Sequence, residues 1–304
     1  MSNRPIDYIF IEGPDCSGKT TLYERIHKKT NYRWNIQDRS ALSMLVHAKY
    51  YGRDEFRHVE QLRKEINNLN NLMVILLPPW EVISHRFAKR GDDIQNFVSL
   101  QKIYNIFEEA VNELKSFPNV IVLNNEIDET TVDYLVNTFR SYETPSTLEL
   151  QSACMQSCAA KENLENLGMN FTLYDDGSFD DIDEGDLLYE EEVDYYQEIM
   201  LTLKKKINDE RLGNNEYDRK ETKYSRRFIY NSETCISLAH FLYRDEGLDC
   251  KFFLRSSNVK DTLYYDLNFM KYMASEVYKT IGAQGTFCRM NFVINSGHIL
   301  IEEE

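Results

Sequence analysis

Gly13, Gly18, Lys19 and Thr20 stand at the spacing G-x-x-x-x-G-K-T, directly after the apolar run Tyr8-Ile9-Phe10-Ile11. That spacing lets successive backbone N–H groups turn around an anion while a helix starts behind them, and glycine supplies dihedrals that other residues reach only with strain. Lys19 is expected to reach the β- and γ-phosphates of a nucleoside triphosphate, and the Thr20 hydroxyl to ligate Mg²⁺. The expected ATP-binding set is Gly13, Pro14, Asp15, Cys16, Ser17, Gly18, Lys19, Thr20 and Thr21. A chance Gly/Lys/Thr loop is the bland alternative. The strand pattern before it and the helical continuation Leu22-Tyr23-Glu24-Arg25-Ile26 argue against that.

Two further clusters carry chemistry. Asp38-Arg39-Ser40 places a carboxylate and a guanidinium at the expected carboxyl end of a strand, where open α/β sheets bind ligands. Asp38 can take a proton from an attacking hydroxyl or help to hold Mg²⁺, and Arg39 can fix a phosphate through paired hydrogen bonds. A surface ion pair is the alternative for both. Arg86 and Arg90 are four residues apart, hence on one helical face, and suit the clamping of a transferring phosphate. Their alternative is a basic helix end that complements the helix dipole.

These residues need strands that end at one edge of a sheet. The pattern predicts strands at 8–12, 33–37, 73–77 and 119–123, alternating with helices at 18–29, 41–71, 80–90, 97–115 and 129–141. That alternation is the signature of an α/β domain whose parallel sheet is flanked by helices, here residues 1–143. With 304 residues a second domain is expected. Residues 144–192 read as an acidic linker, with an alternative role for 175–192 as a mimic of nucleic-acid charge. A smaller α+β domain is expected over 193–304, with helices at 194–207 and 264–281 and strands near 224–230, 250–256 and 290–301.

A net charge of −15 taken as a whole argues against nucleic-acid partners, but it is not spread evenly. Lys+Arg against Asp+Glu number 18 and 19 over residues 1–141, 1 and 16 over 142–202, and 16 and 15 over 203–304. The flanking regions are balanced, so a local basic cleft is compatible with either. The six cysteines lack paired spacing and read as reduced thiols, with Cys154 and Cys158 on one helical face. No apolar run is long enough to span a membrane, and the first residues lack the apolar core of a signal peptide; a cytoplasmic protein is expected, in the host cytoplasm if viral.

On these residues the first region resembles the thymidylate kinase and deoxynucleoside kinase group of P-loop kinases. Ile11-Glu12-Gly13-Pro14-Asp15-x-Ser17-Gly18-Lys19-Thr20-Thr21 is close to that family's phosphate loop, and Asp38-Arg39-Ser40 is similar to its Asp/Glu-Arg motif. Pro78-Pro79-Trp80-Glu81, then Arg86 and Arg90-Gly91-Asp92, is similar to its following strand and lid. The resemblance implies catalytic roles for Lys19, Asp38, Arg39, Arg86 and Arg90. Only 17 residues separate Thr20 from Asp38, fewer than thymidylate kinases carry there. A phosphate acceptor needs no base whereas a hydroxyl gains from one, so retained Asp38 in a shortened acceptor region leans toward a hydroxyl.

Residues 193–304 resemble a truncated thymidylate synthase or deoxypyrimidine hydroxymethylase. Tyr195 to Met200, Asp218-Arg219-Lys220-Glu221-Thr222, Cys235 placed 20 residues before Arg255-Ser256-Ser257-Asn258, and Gly297-His298-Ile299-Leu300 carry the likeness. The segment between Arg219 and Cys235 is too short for the folate region, so methyl transfer is not expected. The resemblance implies a pyrimidine-nucleotide cleft with Arg219, Arg255 and Ser256 facing phosphate and Asp266 near the base; a degenerate scaffold with a buried cysteine is the equal alternative.

Together the resemblances imply an ATP- and Mg²⁺-dependent kinase of phage type. Its expected acceptor is a pyrimidine deoxynucleotide, preferentially the hydroxyl of 5-hydroxymethyluracil, free or in DNA containing modified pyrimidines. A deoxynucleoside monophosphate kinase and an ATP-binding regulatory scaffold are the rival readings. No membrane partner is expected, and oligomerisation through the C-terminal domain is compatible with the resemblance.

Overall fold

The computed structural model describes residues 3–90, 96–180, 182, 193–213, 228–244, 247–282 and 287–300. It divides into two compact units: Ile6–Glu143, and Met1–Pro5 together with Thr144–Glu304. The architecture is α/β, and the first unit is a parallel sheet flanked by helices. Its elements run β1 (Tyr8–Glu12), α1 (Lys19–Thr30), β2 (Ile36–Gln37), α2 (Ala41–Tyr51), α3 (Phe56–Asn67), β3 (Asn71–Leu76), α4 (Trp80–Arg90), α5 (Phe97–Leu114), β4 (Val120–Leu123) and α6 (Glu129–Tyr142).

The four strands lie in the order β2-β1-β3-β4, all pairs parallel. The chain therefore steps to one side of β1 to form β2 and to the other to form β3, and such a reversal opens a crevice at the carboxyl edge. All six residues of β3 are buried, as a central parallel strand covered on both faces requires. On one face Ile9, Ile11, Leu72, Val74 and Leu76 pack with Leu22 and Ile26 of α1 and with Val132, Leu135, Val136 and Phe139 of α6. Trp34 closes that core edge-on against Phe139, with ring centroids 5.2 Å apart. On the other side α2 packs against both α3 and α5. Side-chain caps mark the starts of α5 and α6: Asn96 and Ser99 form a capping box for α5, and Asp128 accepts from Thr131 N at α6.

The second unit takes in more chain than the span 193–304. Residues within the segment read as linker form α7 (Thr147–Ala159) and β5 (Glu165–Asp175). Ser146 and Glu149 make a capping box at the start of α7, whose Cys154 and Cys158 are both fully buried; burial pushes the Cys154 thiol up to about 12. The elements continue with α8 (Val193–Gly213), β6 (Ile229–Asn231), β7 (Ile236–Arg244), β8 (Gly247–Leu254), β9 (Ser257–Asn258), α9 (Leu263–Thr280) and β10 (Cys288–His298). The sheet order is β5-β10-β8-β7-β6, with β9 beside β10. Strand β10 runs antiparallel to β5 and parallel to β8 and β9. Strands β5 and β7 are additions to the predicted elements. Gly91 and Asp92, the motif from Asp218 to Thr222 with Arg219, and residues 181 and 183–192 of the acidic stretch lie outside the described residues. No described helix is long and apolar enough to cross a membrane.

Candidate functional site

The loop between β1 and α1 is built on three left-handed residues, Gly13 at φ 141°, Cys16 at φ 63° and Gly18 at φ 106°. Gly13 lies so close to the end of β3 that a Cβ there would stand 2.3 Å from the Leu76 carbonyl oxygen. Glycine is therefore a steric requirement at this position. Gly18 caps α1 without a side-chain hydrogen bond, and the first turn carries no acidic residue. The unpaired N–H groups of that turn make an electropositive cradle.

Lys19 crosses the loop, its Nζ donating to the Gly13 carbonyl at 2.7 Å and the Pro14 carbonyl at 2.9 Å. Burial lowers its pKa from 10.5, while Asp15, Glu12 and Asp38 pull it back up. Opposite, the Asp38-Arg39 turn follows β2. It is anchored by Glu12, the last residue of β1, which is fully buried and accepts from the Ser40 N–H at 2.5 Å, the Ser43 N–H at 3.3 Å and the Ser43 hydroxyl. Ser40 also caps α2, and Glu65 accepts from the Ala41 N–H at 3.1 Å. A single buried carboxylate thus ties the turn that carries Asp38 and Arg39 to the strand that carries the phosphate loop. The variant Glu12→Gln cannot accept from every one of these donors; it should lose about 1–3 kcal/mol of unfolding free energy, measured by urea denaturation.

These elements enclose an open cleft of about 580 Å³. Of the residues singled out in the sequence, Asp15, Cys16, Gly18, Lys19, Thr20 and Thr21 line it on the loop side, and Asp38, Arg39, Arg86 and Arg90 line the rest. Gly13, Pro14 and Ser17 lie behind, as the frame of the loop. Arg86 also braces the loop, since its Nη1 donates to the Cys16 and Ser17 carbonyls at 3.2 Å each, and its Nη2 meets Glu126 at 3.4 Å. It clamps the loop's own backbone as well as facing the cleft. Cationic side chains outnumber carboxylates here in a protein of net charge −15, since Lys19, Arg25, Arg39, Arg86 and Arg90 face Asp15 and Asp38.

Three residues of this region escaped the sequence reading. Arg25, six positions after Lys19, lines the cleft and donates to the Ile127 carbonyl at 3.0 Å. Ile127, just past β4, lies over Gly18, where a Cβ would meet its Cδ1 at 2.9 Å. His47 sits one turn beyond Ser43 on α2; burial lowers its pKa, and the charges that reach it belong to Asp15, Arg39, Lys19 and Glu12. Only the i, i+4 step from Ser43 to His47 was visible as a signal.

In the second unit, Cys235 is exposed just before β7, and its carbonyl accepts from the Arg255 N–H at 2.9 Å. Ser257 and Asn258 pair with Gly297 and His298. The structure thus draws Cys235, Arg255, Ser256 and His298 toward one edge of the sheet. Asp266 is buried rather than open: Tyr196 donates to it at 3.3 Å and Ser257 at 3.5 Å.

No family model matches this chain, and no curated protein does. Among solved structures it is similar to the deoxyadenosine kinase of M. mycoides with dCMP and a flexible dCDP bound, at 16% identity and TM-score 0.34, over 44% of this chain and 99% of that one. The same enzyme with bound dCTP aligns at 17% identity and TM-score 0.34, over the same shares. Thymidylate synthase from T4 phage aligns at 19% identity and TM-score 0.24, over 28% of this chain and 32% of that one. With TM-scores below 0.5, these likenesses leave the site's own geometry to carry any functional reading.

Proposed function

We propose that the first unit is an ATP- and Mg²⁺-dependent phosphotransferase that passes a γ-phosphoryl group to a hydroxyl of a pyrimidine deoxynucleotide. The observation that carries this is the facing of Lys19 and the uncapped α1 N-terminus by Asp38 and Arg39 across one cleft. Donor chemistry and acceptor chemistry are both present within that space.

The donor set fits Mg²⁺. Thr20 offers a hydroxyl and Asp38 a carboxylate in the same cleft, and Mg²⁺ is commonly held by one or two protein oxygens plus phosphate oxygens. When bound, the ion neutralises charge on the β- and γ-phosphates. The chain's own residues do the rest. Lys19 transfers its hydrogen bonds from the loop carbonyls to phosphate oxygens, and Arg39 and Arg90 hold the transferring group in line. Asp38 takes the acceptor's proton as the hydroxyl oxygen bonds to the γ-phosphorus and the bond to the β–γ bridging oxygen breaks, releasing ADP.

The preferred acceptor is the hydroxyl of 5-hydroxymethyluracil, free or in DNA. Its support is the presence in one chain of a deoxynucleotide-kinase-like region and a region resembling pyrimidine C5-modifying enzymes, together with the short span from Thr20 to Asp38. A deoxynucleoside monophosphate kinase is the second reading, favoured by the two arginines, Arg86 and Arg90, that α4 brings to the cleft. The test is incubation with γ-labelled ATP and, separately, dTMP, dCMP, hydroxymethyl-dUMP and DNA containing hydroxymethyluracil. Label on the hydroxymethyl acceptors, resistant to conditions that cleave a diphosphate, is expected. Label confined to diphosphates of dTMP or dCMP selects the second reading, and transfer to none of them overturns the kinase assignment.

A further inference from the structure

A second cavity, of about 720 Å³, opens on the first unit's sheet beside the two-residue strand β2. Its floor is formed by Tyr8 and Phe10, whose rings stack at 5.7 Å with 19° between their planes. Its far wall comes from α3 and the turn after it, with Gln61, Lys64 and Asn68. Arg39 lines this cavity and the catalytic cleft alike, so the two spaces meet at that side chain.

Asn71 adds an independent sign of a ligand. It lines the cavity and is 5% exposed, its amide nitrogen donating to the Glu65 carbonyl at 3.0 Å, yet its Oδ1 is buried with no hydrogen-bond partner. Such an orphan acceptor is costly, and because Asn71 lines the cavity a small rotation of its amide would bring the oxygen to a ligand's N–H or O–H. The acidic group in the lining, Glu65, is already engaged by the Ala41 N–H and by Gln61. The amide nitrogens of Gln37, Gln61 and Asn68 are held by Asn35, Glu65 and Asp7, so the remaining chemistry is an aromatic platform, the amide oxygens of Gln37 and Gln61, and a cation at either side, Arg39 and Lys64. Stacked rings favour a flat heterocycle, amides read its edge, and the cations suit flanking phosphates.

We propose that this cavity holds a nucleotide next to the one being phosphorylated, so that the acceptor arrives as part of a single-stranded nucleic acid. A mononucleotide in the catalytic cleft leaves a second space of nucleotide size, continuous with it through Arg39, without an occupant. The choice of a strand over a free nucleotide rests on the kinase reading for its direction, while binding itself does not depend on catalysis.

The test is fluorescence anisotropy with 5′-labelled single-stranded DNA of one, two, three and six nucleotides, in Mg²⁺ and a non-hydrolysable ATP analogue. Affinity should rise severalfold or more on passing from one nucleotide to two or three. Lys64→Glu, an exposed change on α3, should weaken trinucleotide binding about tenfold, as should Tyr8→Ala through the lost stacking. Both variants should keep the wild-type KM for ATP and wild-type transfer to a free nucleotide. Equal affinity for one and three nucleotides, or wild-type strand binding by Lys64→Glu, overturns the proposal. Lys19→Ala separates the two claims, because it should end transfer while sparing strand binding. Strand binding that depends on Lys64 in a protein showing no transfer would uphold the cavity and refute the kinase.

Discussion

On the kinase proposal, Lys19→Ala should lower phosphoryl transfer by at least about a thousandfold, to the level left by the loop N–H groups and the arginines alone. Removal of one preorganised donor to a developing charge typically costs about 10²–10³ in rate, and Lys19 is both a donor and a full charge in a partly dehydrated cleft. The same substitution should change the stability of the apoprotein little, because the loss of two hydrogen bonds to the Gly13 and Pro14 carbonyls is offset by relief of a buried charge. Burial lowers the Lys19 pKa below 10.5, which means that the folded state disfavours its charged form. Charged Lys19 therefore opposes folding at neutral pH, and that penalty is relieved as pH rises through its lowered pKa toward 10.5. Thermal melting should show the alanine variant folded near pH 7 and lacking the wild-type gain on alkalinisation. Loss of transfer with stability retained identifies Lys19 as functional; a fall in melting temperature with activity preserved would contradict the central claim. A bound triphosphate adds negative charge that favours the ammonium form, so nucleotide affinity should weaken as pH rises through the lowered Lys19 pKa.

What the sequence made legible was what is local. The phosphate loop is encoded within eight residues, and its glycines stand where the chain turns left-handed or meets the Leu76 carbonyl. The alternation of apolar strands and amphipathic helices foretold the parallel sheet because β1, β3 and β4 are nearly continuously apolar; the edge strand β2 is only Ile36–Gln37. Glu12 belongs to the phosphate-loop motif, but its role depends on the start of α2 folding back so that Ser40 and Ser43 reach it, a relation between a strand and a helix that no spacing displays. Arg25 and Ile127 approach the loop only once α6 has packed against α1. In the second unit the acidic composition of residues 142–202 hid β5, whose inward side chains Met169, Phe171 and Leu173 alternate with half-buried Asn170, Thr172 and Tyr174. Strand β7 alternates in the same way from Ala239, with His240 and Leu242 half-buried and Ala239, Phe241 and Tyr243 inward, but half-buried Leu238 and Leu242 deny it a clean alternation of polar and apolar side chains.

Asp38→Asn separates the two acceptor readings. For a hydroxyl acceptor the carboxylate takes a proton in the transition state, and general-base assistance of that kind contributes about 10²–10⁴ in rate. The amide cannot take that proton, so kcat with hydroxymethyl-dUMP or hydroxymethyluracil DNA should fall by about that factor. For a monophosphate acceptor the nucleophile is already an anion, and at saturating Mg²⁺, which makes up for the lost metal ligand, the same substitution should leave transfer within about tenfold of wild type, since no proton has to leave. A third possibility, that Asp38 acts on Mg²⁺ alone, has its own signature: the Mg²⁺ concentration for half-maximal activity rises, and excess metal restores the rate. The anchoring of the turn makes the comparison clean. Ser40 and Ser43 hold to Glu12, and Ala41 to Glu65, through bonds that the Asp38 side chain does not share. The asparagine therefore sits where the aspartate did, and a change in kcat at an unaltered KM for ATP reports the lost proton acceptor rather than a displaced loop.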